Sequence, residues 1–219
     1  MATYVLIHGA GDSAFYWHLV EPELRARGHE TIAVDLPCED DSAGFADYAD
    51  AVVEAIGDRK NVILVAQSFG GFTAPLVCRR IPVDLMILVA AMVPEPGECA
   101  DDWFTNTGYP GSRGDTEAEI FLNGVPEEIA REAMEHTRTQ SETPGKEPFP
   151  LDAWPDVPTR FLICLKDNMF PADWMREVVR SRLGIEPDEI DSGHCPALSR
   201  PRELAERLEA FRTDAFTPG

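Results

Sequence analysis

Positive charge is what this sequence has least of: 19 Lys and Arg stand against 39 Asp and Glu, for a formal net charge of -20. A field of that sign repels phosphate backbones and anionic lipid headgroups, so neither nucleic acid nor a membrane is expected as a partner. The excess acid is read as a solvated surface. Cysteines are five, at 38, 78, 99, 164 and 195, with neither paired nor metal-like spacing, and the odd count argues against a disulfide framework. The chain also lacks a basic start ahead of an apolar stretch, running from Met1 straight into Tyr4-Val5-Leu6-Ile7. A reducing, cytoplasmic setting is the expectation. Long apolar runs are missing too; the longest, Leu85 to Val93, has nine residues, far short of the roughly 20 that a membrane helix needs. No cluster of His, Cys and carboxylates has ligand spacing, so neither a metal nor a cofactor is called for.

What is present is the balance of an ordinary globular domain, 44% hydrophobic and 26% charged over 219 residues, which excludes disorder and collagen-like or coiled-coil classes. Short β-branched runs alternate with amphipathic stretches. Strands are predicted at Tyr4 to Ile7, Thr31 to Asp35, Val62 to Ala66, Leu85 to Ala90, Arg160 to Leu165 and Glu186 to Asp191. Helices are predicted near Ala14 to Arg27, Ala46 to Ile56, Gly70 to Arg80, Ala172 to Leu183 and Pro201 to Phe211. Runs such as Val62-Ile63-Leu64-Val65 are apolar on both faces, as a sheet covered by helices on both sides requires. The expected fold is α/β: a doubly wound, mainly parallel, six-stranded sheet. The alternation breaks after Ala91, in a stretch rich in Pro and Gly, where one amphipathic segment, Pro126 to Gln140, opens on a proline suited to a helix start. Residues 98–155 are therefore expected to form a small helical cap inserted into a core of residues 1–97 and 156–219.

The sharpest chemical signal is Ala66-Gln67-Ser68-Phe69-Gly70-Gly71, directly after the apolar strand. A serine on so tight a strand-to-helix turn is forced out above the sheet edge, and small flanking residues let the backbone pass close to its neighbours. Gly70 meets that need; Ala66, on the other flank, adds a methyl. At the end of the first strand stands His8-Gly9-Ala10-Gly11, where a turn can aim backbone N–H groups at a developing oxyanion. The amides of Ala10 and Phe69 are the candidates. A dinucleotide-type turn is the competing reading, but Gly9-Ala10-Gly11-Asp12-Ser13-Ala14 lacks the third fingerprint glycine.

A serine needs a base, and the base an orienting acid. Of the histidines at 8, 18, 29, 136 and 194, only His194 lies beyond the last strand, in Ser192-Gly193-His194-Cys195-Pro196. Asp167 follows the fifth strand; Glu95, beyond the fourth, is the reserve. The order Ser68, Asp167, His194 is that of an α/β-hydrolase triad. Cys195 has no basic partner beyond His194 and is a poor second nucleophile.

Over nearly its whole length the chain resembles the α/β-hydrolase superfamily, and within it the plant methylesterase and hydroxynitrile lyase family with its small bacterial esterase relatives. The likeness rests on His8-Gly9-Ala10 followed by Phe15 and Trp17, on Ala66 to Gly71, on Asp167 with Pro171, and on Gly193-His194 leading into Arg200-Pro201. It implies a catalytic Ser68, His194 and Asp167, oxyanion amides at Ala10 and Phe69, and a cap after the fourth strand. It also sets a departure in view: lyases of that family carry a lysine after the catalytic histidine and a threonine in the oxyanion turn, where this chain has Cys195 and Ala10. Phe15, Trp17, Met92, Trp103 and Phe170 are the expected walls of an apolar pocket. The function these residues imply is hydrolysis of a small apolar ester through an acyl-enzyme. A cofactor-independent lyase and a hydrolase-fold receptor remain as alternatives, and the oligomeric state is left open.

Overall fold

The structure, a computed structural model, describes residues 1–216. Six strands form one sheet: β1 (Thr3–Ile7), β2 (Glu30–Val34), β3 (Val62–Gln67), β4 (Leu85–Val89), β5 (Thr159–Cys164) and β6 (Asp188–Ile190). They are ordered β2-β1-β3-β4-β5-β6, and every neighbouring pair is parallel. Burial follows position in that order. Central β1, β3 and β4 are buried along their full length, whereas edge strand β6, Asp188-Glu189-Ile190, buries only its isoleucine. The six expected strands are all found, with shifts of a residue or two at their ends.

Helices cover both faces. They are α1 (Val20–Ala26), α2 (Phe45–Ile56), α3 (Ala74–Cys78), α4 (Ala100–Asn106), α5 (Glu117–Phe121), α6 (Glu127–Glu135), α7 (Thr143–Lys146), α8 (Ala172–Leu183), α9 (Pro196–Ser199) and α10 (Pro201–Phe216). Strand side chains alternate between two cores, as a period of two demands. Val5, Ile7, Leu64, Ala66, Met86 and Leu88 face α2, α3 and α8; Tyr4, Leu6, Ile63, Val65, Ile87 and Val89 face α1 and α10. Three helices are shorter than expected: α6 stops at Glu135, short of Gln140, and α1 and α3 begin late. The stretch from Ala14 begins with a 3-10 turn, Ala14–Trp17, before α1, and Ser68–Phe72 is likewise 3-10 before α3. Both follow a strand whose chain must turn sharply over the sheet edge, and the tighter helix accomplishes that.

Between β4 and β5 the chain makes an excursion holding α4 to α7 and, among the described residues, no strand. Its base is pinched shut. Cys99 and Pro148 form an antiparallel bridge, with the Gly97 N–H donating to Phe149 O at 3.0 Å and the Phe149 N–H to Glu98 O at 2.9 Å. Beneath the bridge lies an ion pair withdrawn from water: Arg182 of α8 donates to both oxygens of Glu98, at 2.5 and 2.9 Å, and also to Val93 O at 2.6 Å. Asn106 of α4 adds a bond to Glu98 Oε1 at 2.8 Å.

Candidate active site

Because every strand runs the same way, residues that follow strand C-termini collect at one edge. His8 follows β1, Ser68 follows β3, Asp167 lies three residues past β5, and His194 lies four residues past β6. β1 is flanked by β2 on one side and β3 on the other, so the chain diverges there in opposite directions. Such a reversal leaves a crevice above the sheet, between the turns after β1 and β3.

Ser68 sits at the head of that crevice with φ of 51°, a left-handed conformation that a non-glycine residue adopts at a strain cost. The strain is enforced on both sides. The Ser68 carbonyl accepts from the Met92 N–H at 2.9 Å, and the turn packs so tightly that a Cβ at Gly71 would come within 1.9 Å of Met92 O. Gly9 is as constrained, its notional Cβ lying 2.5 Å from Gln67 Oε1 and 3.0 Å from Ser68 Cβ. The β1 turn and the serine turn are thus in contact. The methyl of Ala66 meets no obstruction, being buried in the core opposite Ile7.

His194 and Asp167 form a pair out of reach of water. His194 Nδ1 lies 2.8 Å from Asp167 Oδ2, and Asp167 Oδ1 accepts the Met169 and Phe170 N–H groups at 2.8 Å each. An ionised carboxylate at Nδ1 assigns the ring proton to that nitrogen and leaves Nε2 as the acceptor. The imidazole is held edge-on by Phe170 at 5.1 Å and by Phe121 of α5 at 5.6 Å. Its loop is tied to the serine turn through Gln67, whose Nε2 donates to His194 O at 3.3 Å. A Ser68 Oγ to His194 hydrogen bond is not closed among the described residues. Glu95 is exposed, and the partner of His194 Nδ1 is Asp167 instead. Burial pushes the Cys195 thiol well up, which keeps it protonated and removes it as a second nucleophile.

The Ala10 and Phe69 N–H groups, candidates for an oxyanion hole, have no acceptor among the described residues. His8, just before the turn, is buried and neutral: burial, reinforced by the Arg138 charge, brings it down to about 4. Asp12, just after, is pushed up by burial to about 6. No group of three or more His, Cys, Asp or Glu that could hold a metal ion occurs among the described residues. No helix there is long and apolar enough to cross a membrane.

The expected pocket residues separate. Met92 and Phe170 lie on the serine side of the sheet, Phe170 directly against His194. Phe15 is half-buried and sandwiched between the rings of His18, at 4.0 Å, and His136, at 3.7 Å. Trp103 has no exposed surface; it backs Phe170 at 5.5 Å and donates its indole N–H to Val93 O at 3.0 Å. Trp17 requires a correction. It is fully buried in the opposite core with Tyr16, Val20 and Leu24, because the 3-10 turn swings its side chain beneath the sheet edge, so it is a core residue and no pocket wall. Several residues at the site escaped the sequence reading: Gln67, Phe121, Arg138 and Gln140. Only Gln67, adjacent to the serine in the motif, carried a positional signal.

Residues 4–207 match the Alpha/beta hydrolase family, and the chain belongs to it. It is an α/β-hydrolase. Within the family its similarity runs to plant esterases and a lyase. Methylesterase 3 of Arabidopsis thaliana is 24% identical over 93% of both chains. Polyneuridine aldehyde esterase of Rauvolfia serpentina is 25% identical over 94% of this chain and 93% of its own. Alpha-hydroxynitrile lyase of Arabidopsis thaliana is 26% identical over 96% and 97%. A crystal structure of polyneuridine aldehyde esterase superposes with a TM-score of 0.81 at 22% identity, covering 97% of this chain and 99% of that one.

Proposed function

We propose that this hydrolase cleaves small apolar carboxylic esters through an acyl-enzyme on Ser68. The observation that carries the reading is the strained serine at one sheet edge with the buried His194–Asp167 pair. His194 Nε2 takes the hydroxyl proton as Ser68 Oγ attacks the ester carbonyl. Asp167 keeps the imidazole in the required tautomer and stabilises the imidazolium. The Ala10 and Phe69 amides receive the oxyanion; their lack of other acceptors suits them to it. Collapse of the tetrahedral intermediate expels the alcohol, protonated by His194, and water, activated by the same imidazole, then releases the acid. Residues 98–155 act as the cap, bringing Phe121 onto His194 so that the substrate's leaving group meets an aromatic surface.

The lyase relative makes cyanohydrin cleavage the second reading. Cleaving a cyanohydrin requires a group to stabilise departing cyanide, and neither Cys195 nor Ala10 supplies a cation. Turnover of nitrophenyl esters of increasing chain length, alongside cyanide release from mandelonitrile, tests both. Ser68-dependent ester hydrolysis without cyanide release is the expected result. Ser68-dependent cyanide release would put the lyase in its place, and failure of both reactions with tight binding of a small apolar ligand would favour a receptor.

A further inference from the structure

The segment that leaves α6 does not simply return to the sheet. It runs along the β1 turn and bonds to it at residue after residue. The Arg138 N–H donates to Gly11 O at 2.7 Å, and the Gly11 N–H donates to Gln140 Oε1 at 3.0 Å. The Arg138 guanidinium reaches further, from Nε to Asp12 O at 2.9 Å and from Nη2 to Leu36 O at 3.0 Å. Nη2 also lies 3.1 Å from His8 Nε2, a lone pair it shares with the Leu36 N–H at 3.1 Å. With Nε2 accepting, His8 carries its proton on Nδ1 and donates to Gly9 O at 2.7 Å. Gly9 O, Gly11 N–H, Gly11 O and Asp12 O are all held, directly or through His8, from the cap side. Between them stands the Ala10 N–H, with no acceptor of its own.

We propose that Arg138 and Gln140 are positioning residues of the oxyanion turn, so that the cap segment after α6 sets the direction of the Ala10 amide. This rests on the esterase reading given above. Three features support it. The guanidinium is planar and engages three acceptors on two elements at once, a geometry that lysine cannot reproduce. Glycines on either side of Ala10 give the turn little stiffness of its own, so these bonds, together with the packing of Gly9 against Gln67 and Ser68, fix its conformation. Gln140 is itself fixed, its Nε2 donating to the Tyr48 hydroxyl at 3.0 Å.

A positioning role acts on the transition state and leaves ground-state binding alone. Arg138→Ala and Gln140→Ala should therefore lower kcat for a nitrophenyl ester, by roughly 100-fold for the arginine if the amide moves by about 1 Å, with KM nearly unchanged. Added guanidinium ion should restore a measurable part of kcat in Arg138→Ala, and Arg138→Lys should remain impaired. Arg59→Met removes an exposed arginine paired with Glu30, and serves as the control that keeps wild-type kcat. Thermal unfolding is followed in every variant. If Arg138→Ala fails to fold, Gln140→Ala alone decides, since it leaves the guanidinium bonds in place. Wild-type kcat in a folded Gln140→Ala together with wild-type kcat in Arg138→Ala, or a loss expressed only in KM, would overturn the proposal. A wild-type protein without Ser68-dependent turnover would overturn the esterase reading itself, a different result from active wild type with unaffected variants.

Discussion

Ser68 illustrates what a single residue's conformation contributes. Its φ of 51° costs energy in the folded state, and the packing of Gly71 against Met92 O and of Gly9 against Gln67 leaves it no alternative. The serine was legible in the sequence because an apolar strand ending in Ser-Phe-Gly-Gly has few other uses. The meeting of His194 and Asp167 at this edge was legible through chain order, since each follows a strand that must end there. At this scale the acid's role is directly testable. Asp167→Asn retains the shape, but its amide can present an N–H to His194 Nδ1 and hold the ring in the wrong tautomer. A fall in kcat of up to roughly 10⁴-fold is expected, with the fold intact by circular dichroism. A fall of less than tenfold would show that the Asp167–His194 contact, at 2.8 Å, serves structure alone.

At the scale of elements, the central strands and α8 were legible because burial on both faces, or a clear amphipathic period bounded by Pro171 and Gly184, writes itself into residue types. The excursion between β4 and β5 was legible only as an interruption. Its helices α5 and α7 are five and four residues long, too short to carry a period, and the bonds of Arg138 and Gln140 to the β1 turn depend on a long-range juxtaposition that no local pattern encodes. Trp17 shows the same limit from the other side: proximity to the oxyanion turn in sequence says nothing about which side of the sheet a 3-10 turn will deliver a side chain to. The bonds of Arg138 and Gln140 to Gly11 and Asp12 tie this excursion to the β1 turn. The anchorage of this excursion is the element-scale prediction. Arg182→Met leaves Glu98 buried without its cation, and breaking such a pair from one side costs about 3–5 kcal/mol. Burial alone would raise Glu98; hydrogen bonds from Arg182 and Asn106 more than reverse this and hold it below its ordinary value. Its contribution to stability is therefore complete above the ordinary carboxylate range and is lost as pH falls through the lowered value. Urea unfolding at pH 7 should register the loss in Arg182→Met, and a midpoint equal to wild type would mean the pair contributes nothing.

For the molecule as a whole, a charge of -20 says little about the site and much about the surface. Two groups near the β1 turn make opposed contributions to the pH response of stability. His8, held at about 4, binds its proton more weakly in the folded chain than in the unfolded one, so it lowers stability as pH falls from its ordinary range towards 4. Asp12, held at about 6, does the reverse, binding a proton in the folded chain that the unfolded chain has already released. The two largely offset between pH 4 and 6. Asp12→Asn, which keeps an oxygen for the Ser13 N–H, removes one side of that balance. Relative to wild type, the variant should lose about 3 kcal/mol more stability on going from pH 6.5 to 4, measured by urea unfolding. Parallel curves would show that Asp12 does not titrate in this range. The central claim, that the molecule turns over esters through a covalent intermediate on one serine, has a more direct test: labelling with a fluorophosphonate, followed by mass spectrometry of the intact chain and of its peptides. One adduct per chain is predicted, on the peptide containing Ser68, formed in step with loss of ester turnover and absent from Ser68→Ala. An adduct elsewhere, or ester turnover that persists in Ser68→Ala, would contradict it.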